Sequence, residues 1–191
     1  NTLVLGSIRG KTVSCKLPLG GIGISRHALD YRLYEAAKKT GVRFKWQPVD
    51  QADYRDGIFH VSSRGDVYRA RQVLGAWGKR SQMDRVMHRG FCKNTSPWMG
   101  IKMHYRADYP KDQVGLYAFR GGYGGLSVTE TGAVNFCYLI HKERFREMPD
   151  LRSCTEKLLG EHPSLREVMH SAEPLFRTAI SISNISFNTT R

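Results

Sequence analysis

Residues 24–42, ISRHALDYRLYEAAKKTGV, decide how the rest of the chain is read. Leu29, Leu33, Ala36 and Ala37 recur at i, i+4, i+7 and i+8, so they share one face of a helix. Ser25 is an N-cap residue and Gly41 stands where a helix ends. Lys38 and Lys39 in the last turn suit the negative end of the helix dipole. Arg26 is the odd residue, a cation at the positive end. It is either solvated or holds an anion beside the free N–H groups of the first turn.

Working outward, residues 2–18 read as a hairpin turning at Arg9-Gly10, and Gly20, Gly21 and Gly23 loosen the chain before the helix. After the helix, VRFKWQPV (42–49) alternates as a strand. Short strands are expected at 57–62, 66–70 and 72–74, and the last runs into Gly75-Ala76-Trp77-Gly78-Lys79-Arg80-Ser81. By itself that segment is a tight turn with a tryptophan covering the core.

Helix, strand, meander and a strand ending in Gly-x-x-Gly follow one another in a known order. The stretch SRHALDYRLYEAAKKTGVRF, then the meander and VLGAWGKRSQMDR, resembles the middle of an FAD-dependent monooxygenase of the p-hydroxybenzoate hydroxylase type. The superfamily also contains geranylgeranyl reductases and flavin-dependent halogenases. The resemblance implies that Arg26 touches FAD at the start of the helix. It also implies cofactor contacts at Gly75, Ala76, Trp77 and Gly78, with Lys79 and Arg80 as cationic partners. Trp77 stands where the family has aspartate, and Arg85 falls one residue late against the family pattern.

Next, WMGIKMHYR (98–106) places Met99, Ile101, Met103 and Tyr105 on one face, with Lys102 and His104 on the other. Three long strands follow, QVGLYAFR, YGGLSVTE and AVNFCYLI, joined at Gly121-Gly122 and Thr131-Gly132. Such a sheet is either a core or the floor of an apolar pocket. The resemblance makes it the substrate domain over the flavin. The expected substrate contacts are Tyr117, Phe119, Tyr123, Gly124 and Gly125, because a strand without side chains at two consecutive glycines lets a ligand come close. Neither the reductase string aromatic-Trp-x-Phe-Pro nor the halogenase signature Trp-x-Trp-x-Ile-Pro occurs. The last third reads as a helix capped by Asp150, a second begun by Pro163, and a strand over 179–187.

The expected fold is α+β: a large, mainly antiparallel sheet with helices packed on it, plus the middle part of an FAD-binding α/β domain. The segments are 1–23 (substrate-domain hairpin), 24–90 (middle of the FAD-binding domain) and 91–191 (substrate-domain sheet and helices). The chain contains no GxGxxG and no closing Gly-Asp motif, and it starts at Asn1, so it reads as a fragment of an FAD-dependent oxidoreductase of monooxygenase or reductase type. Isolated, it is expected to be inactive. The resemblance implies FAD, leaves NADH or NADPH open as an electron source, and implies a small apolar or aromatic substrate.

Composition leaves room for other classes. The net charge is +13, but the basic residues are dispersed rather than gathered with aromatics at RNA-motif spacing. A basic nucleic-acid-binding domain is therefore an alternative, not the leading reading, and a stand-alone carrier of an apolar ligand is another. The four cysteines form no CxxC pair and no HExxH occurs, so a cytoplasmic protein with free thiols and no metal is expected. No apolar run reaches the length of a membrane span.

Overall fold

A computed structural model describes residues 1–78, 81–185 and 187. The expected cationic partners Lys79 and Arg80 lie outside the described residues. The chain divides into two compact units, residues 1–32 with 96–186 and residues 33–95 with 187–191.

The larger unit is built on one mixed sheet. Its strands are β1 (Thr2–Gly6), β2 (Thr12–Lys16), β6 (Trp98–Arg106), β7 (Gln113–Phe119), β8 (Gly122–Val128), β9 (Val134–His141), β10 (Glu173–Pro174) and β11 (Ile180–Ser183). The order is β10-β6-β9-β8-β7-β1-β2, with β11 also on β6. Only β1 and β7 run parallel; the other neighbours are antiparallel. The hairpin turns sit where the glycines stand, with Gly121 at φ +82° and Gly132 at φ +83°, backbone that side chains rarely adopt.

Period-2 alternation gives this sheet two different faces. Val134, Phe136, Tyr138 and Ile140 of β9 are buried on one, as are Leu126 and Val128 of β8 and Tyr117 and Phe119 of β7. Cys154 and Leu158 of α4 (Leu151–Glu161) join that core, with Leu165 and Met169 of α5 (Pro163–Met169). Asp150 caps α4 by accepting from the Ser153 amide at 2.7 Å, and Pro163 opens α5, as the sequence predicts. The buried Tyr138 hydroxyl is satisfied by Thr155 Oγ1 at 2.9 Å. A short helix, α3 (Lys142–Arg146), follows β9.

The smaller unit holds a three-stranded antiparallel meander, β3 (Gln51–Arg55), β4 (Ile58–Ser63) and β5 (Asp66–Ala70). A short helix α2 (Gln82–Val86) is capped by Ser81, whose side chain accepts from the Met83 amide. Two expected strands are absent. Residues 42–49 and 72–74 pair with no strand among the described residues. Alternation marks a strand only where a neighbour takes its hydrogen bonds. Phe44 instead meets the Tyr34 ring edge-on and Trp46 meets it tilted, at centroid distances of 4.6 and 5.4 Å.

Helix α1 (Arg26–Lys39) forms as the sequence predicts, and Gly41 at φ +83° ends it with its amide on the Lys38 carbonyl. Its apolar face is largely open: Leu29 is 37% and Leu33 59% exposed. Periodicity selects the face, but burial needs a second element against it.

Candidate functional site

The second face of the large sheet is open, and its rows follow from the register. His104 of β6 lies opposite Asn135 of β9, which lies opposite Ser127 of β8. One row over, Lys102 pairs with Cys137, Cys137 with Gly125, and Gly125 with Leu116. A third row joins Leu139, Tyr123 and Ala118. A polar row thus runs beside rows richer in apolar side chains.

The polar row floors a cleft of about 370 Å³, walled by residues 21–26 and by Lys111, Asp112 and Gln113. The wall is fixed by Glu130, which accepts from the Ser25 amide and the Ser25 hydroxyl, each at 2.7 Å. Those bonds hold the Glu130 carboxyl below its ordinary pKa. Ser25 Oγ in turn accepts from the Ala28 amide at 3.1 Å, completing the cap of α1. Gly23 passes so near the sheet that an added Cβ would fall 2.0 Å from the Val128 carbonyl oxygen.

Three cations line the cleft, Arg26, Lys102 and Lys111, against one carboxylate, Asp112. The Arg26 side chain is largely exposed and pairs with Asp30 at 3.3 Å. Burial, and next the Lys102 charge, lower the His104 pKa, while Asn135 and Glu130 act the other way. The Asn135 side chain lies near enough to the His104 ring to favour its charged form. His104 Nε2 and Asn135 Oδ1 are both buried atoms with no hydrogen-bond partner among the described residues.

The five expected substrate contacts do not share a face. Tyr117 and Phe119 are in the core, 2% and 3% exposed, and Gly124 faces the same way, toward Phe136. Tyr123 is exposed on the open face, and Gly125 is directed to the same side but is itself buried between Leu116 and Cys137. The reason is the pleat: consecutive glycines necessarily point to opposite sides. Of the expected cofactor contacts, Arg26 borders the cleft. Gly75, Ala76, Trp77 and Gly78 belong to the smaller unit. There Trp77 folds back over Gly75 and donates from Nε1 to the buried Asp84 at 3.1 Å, while Gly78 turns the chain at φ +74°.

Lys102, His104, Ser127 and Asn135 carry no motif, and sequence reading did not select them. The Thr131-Gly132 turn contained the signal, because it sets Asn135 opposite Ser127.

No protein-family model matches the chain, and no curated protein matches it. Solved structures do. The halogenase PltM is similar over 96% of this chain and 43% of its own, with a TM-score of 0.77 and 14% identity. The flavin-dependent halogenase CmlS matches over 95% of this chain and 36% of its own, at 0.73 and 12%. A flavoprotein/dehydrogenase from Cytophaga hutchinsonii matches over 95% and 49%, at 0.72 and 14%. The chain spans less than half the length of each of these proteins, and at such identities the likeness is one of fold. This chain has the fold of part of a flavin-dependent oxidoreductase.

Proposed function

We propose that the chain forms the substrate-binding sheet and part of the flavin site of an FAD-dependent oxidoreductase of monooxygenase or reductase type. The larger unit would be the substrate portion and the smaller unit part of the FAD-binding portion. One observation carries the reading most: the open face of the large sheet holds a cleft whose wall is the start of the helix that first suggested the family. The fold likeness to flavin enzymes supports it. PltM has been solved in complex with phloroglucinol and FAD, and a small aromatic substrate is the class we infer here.

The residues present fit part of such a cofactor. The exposed guanidinium of Arg26 and the ammonium of Lys111 suit phosphate or a ring carbonyl at the cleft's rim. A cleft of about 370 Å³ has room for a ring system rather than for a whole dinucleotide. Gly75, Ala76, Trp77 and Gly78 would supply a second set of contacts, with the backbone at Gly78 open to close approach. Bound FAD would supply the redox chemistry; this chain binds and orients the substrate. Tyr123 and Gly125 would form the wall against the substrate, with Tyr117, Phe119 and Gly124 supporting the sheet from the core side.

Arg26→Ala tests the cofactor role. Titrating FAD with the chain and following flavin fluorescence should show affinity about tenfold lower in the variant, the loss of one charge-assisted hydrogen bond. Its melting temperature should stay unchanged, because the side chain is exposed. Equal affinities would make Arg26 a solvated surface residue.

A further inference from the structure

We infer that β2, the outer strand at one end of the large sheet, is a docking edge for an extended acidic segment of a partner protein, which adds to the sheet as a further strand. Among the described residues β2 pairs only with β1, and all five of its residues are exposed. Hydrogen bonds at the two ends of the hairpin fix where its backbone groups point. The Ser7 amide donates to the Lys11 carbonyl at 2.8 Å, and the Leu17 amide to the Asn1 carbonyl at 2.9 Å. Bonded residues alternate in an antiparallel pair, so Lys11, Val13, Cys15 and Leu17 turn their N–H and C=O toward β1. Thr12, Ser14 and Lys16 turn theirs outward, and no strand among the described residues takes them. The opposite end of the sheet is blunted: β10 has two residues, one of them Pro174, and β11 has four.

Charge selects the occupant. Residues 1–29 contain Arg9, Lys11, Lys16 and Arg26 and not one Asp or Glu. Arg9, Lys11 and Lys16 are exposed and enter no ion pair among the described residues. A second copy is the poorer occupant, because two β2 edges side by side would bring their lysines together on a chain already carrying +13. An acidic strand instead meets Lys11 at one end of β2 and Lys16 at the other. Alternation sets the rest of the pattern. Val13 and Cys15 are exposed on the same side as Leu5, and a shallow groove of about 360 Å³ runs between Leu5 and Val13. Apolar side chains of the added strand fill that side, and Thr12 and Ser14 on the other side take polar ones. The partner segment is therefore one in which apolar and polar residues alternate between acidic ends.

The probe is the end-blocked peptide Glu-Val-Thr-Val-Thr-Val-Glu, compared with the same peptide carrying lysine at both ends. Each is added in excess to the isotope-labelled chain, and amide shifts and hydrogen exchange are read. The acidic peptide should slow exchange at the Thr12, Ser14 and Lys16 amides. It should also bind about tenfold more tightly than the lysine peptide at low salt. Lys11→Gln combined with Lys16→Gln should remove most of that preference. Ser14→Pro deletes an outward N–H without touching the bonds to β1, so it should weaken binding about tenfold while the Val13 and Cys15 amides stay protected. If Ser14→Pro loosens the hairpin, seen as faster exchange at Val13 and Cys15, the lysine variants decide. Equal binding of the two peptides overturns the inference, as does a preference that survives the lysine variants. So does the absence of any slowing at the three outward amides with the acidic peptide in excess. Protection of those amides in the chain alone, rising with its concentration together with a dimeric mass in sedimentation, would make a second copy the occupant and overturn it too.

Discussion

At the scale of the residue, the paired glycines show how one motif separates into two roles. A Cβ added at Gly124 would come within 2.9 Å of the Phe136 ring, whereas at Gly125 its nearest neighbours are at ordinary contact distance, Leu116 at 3.4 Å. Gly124→Val should therefore overpack the core and cost about 1–3 kcal/mol, read as a lower urea midpoint. Gly125→Val should leave the midpoint nearly unchanged and weaken ligand binding on the open face. A larger loss of stability at Gly125 than at Gly124 would reverse the assignment of faces. Glu130 gives the pH prediction. Its carboxyl pKa is lowered in the fold by the Ser25 bonds, so its contribution to stability is present above the ordinary carboxylate pKa. That contribution is lost as the pH falls through the lowered value. Glu130→Gln should flatten this acid limb of the unfolding curve, and a limb unchanged in the variant would mean that the cap of α1 does not depend on the carboxylate.

At the scale of the element, what was legible in the sequence was whatever local chemistry fixes. Helix α1 and its glycine stop, β6 and the three strands after it, and the helices begun by Asp150 and Pro163 all form where periodicity and caps place them. Partners in space were not legible. The segment 42–49 alternates as well as β6 does, yet β6 has neighbours on both sides and 42–49 has none among the described residues. The candidate site was half legible for the same reason. The glycine pair drew attention to β8, but the polar row of His104, Asn135 and Ser127 exists only once three strands are in register. The exposed face of α1 leads to a stability prediction. Leu33→Lys should change the melting temperature little, within about 0.5 kcal/mol, because the side chain is already mostly in solvent. Leu158→Ala, fully buried on α4, should cost about 2–5 kcal/mol. A strong destabilisation by Leu33→Lys would mean that the α1 face is covered in solution.

At the scale of the whole molecule, two observations converge on one face. The fold is that of part of a flavin enzyme, and the open side of its large sheet carries a cationic cleft beside the start of α1. The chain contains no GxGxxG, the turn that holds the ADP half of FAD in the resembling family, so the 191 residues should purify colourless and bind added FAD only weakly. A flavin absorption band that survives desalting would contradict this. The most direct measurement of the central claim is a map of backbone amide shifts in the labelled chain as FAD is added at high concentration. The account predicts that the perturbed amides cluster at residues 21–26, at Lys102 to His104 and around Asn135, on the open face of the sheet. Perturbations confined to the helical face of α4 and α5, or none at saturating FAD, would contradict it.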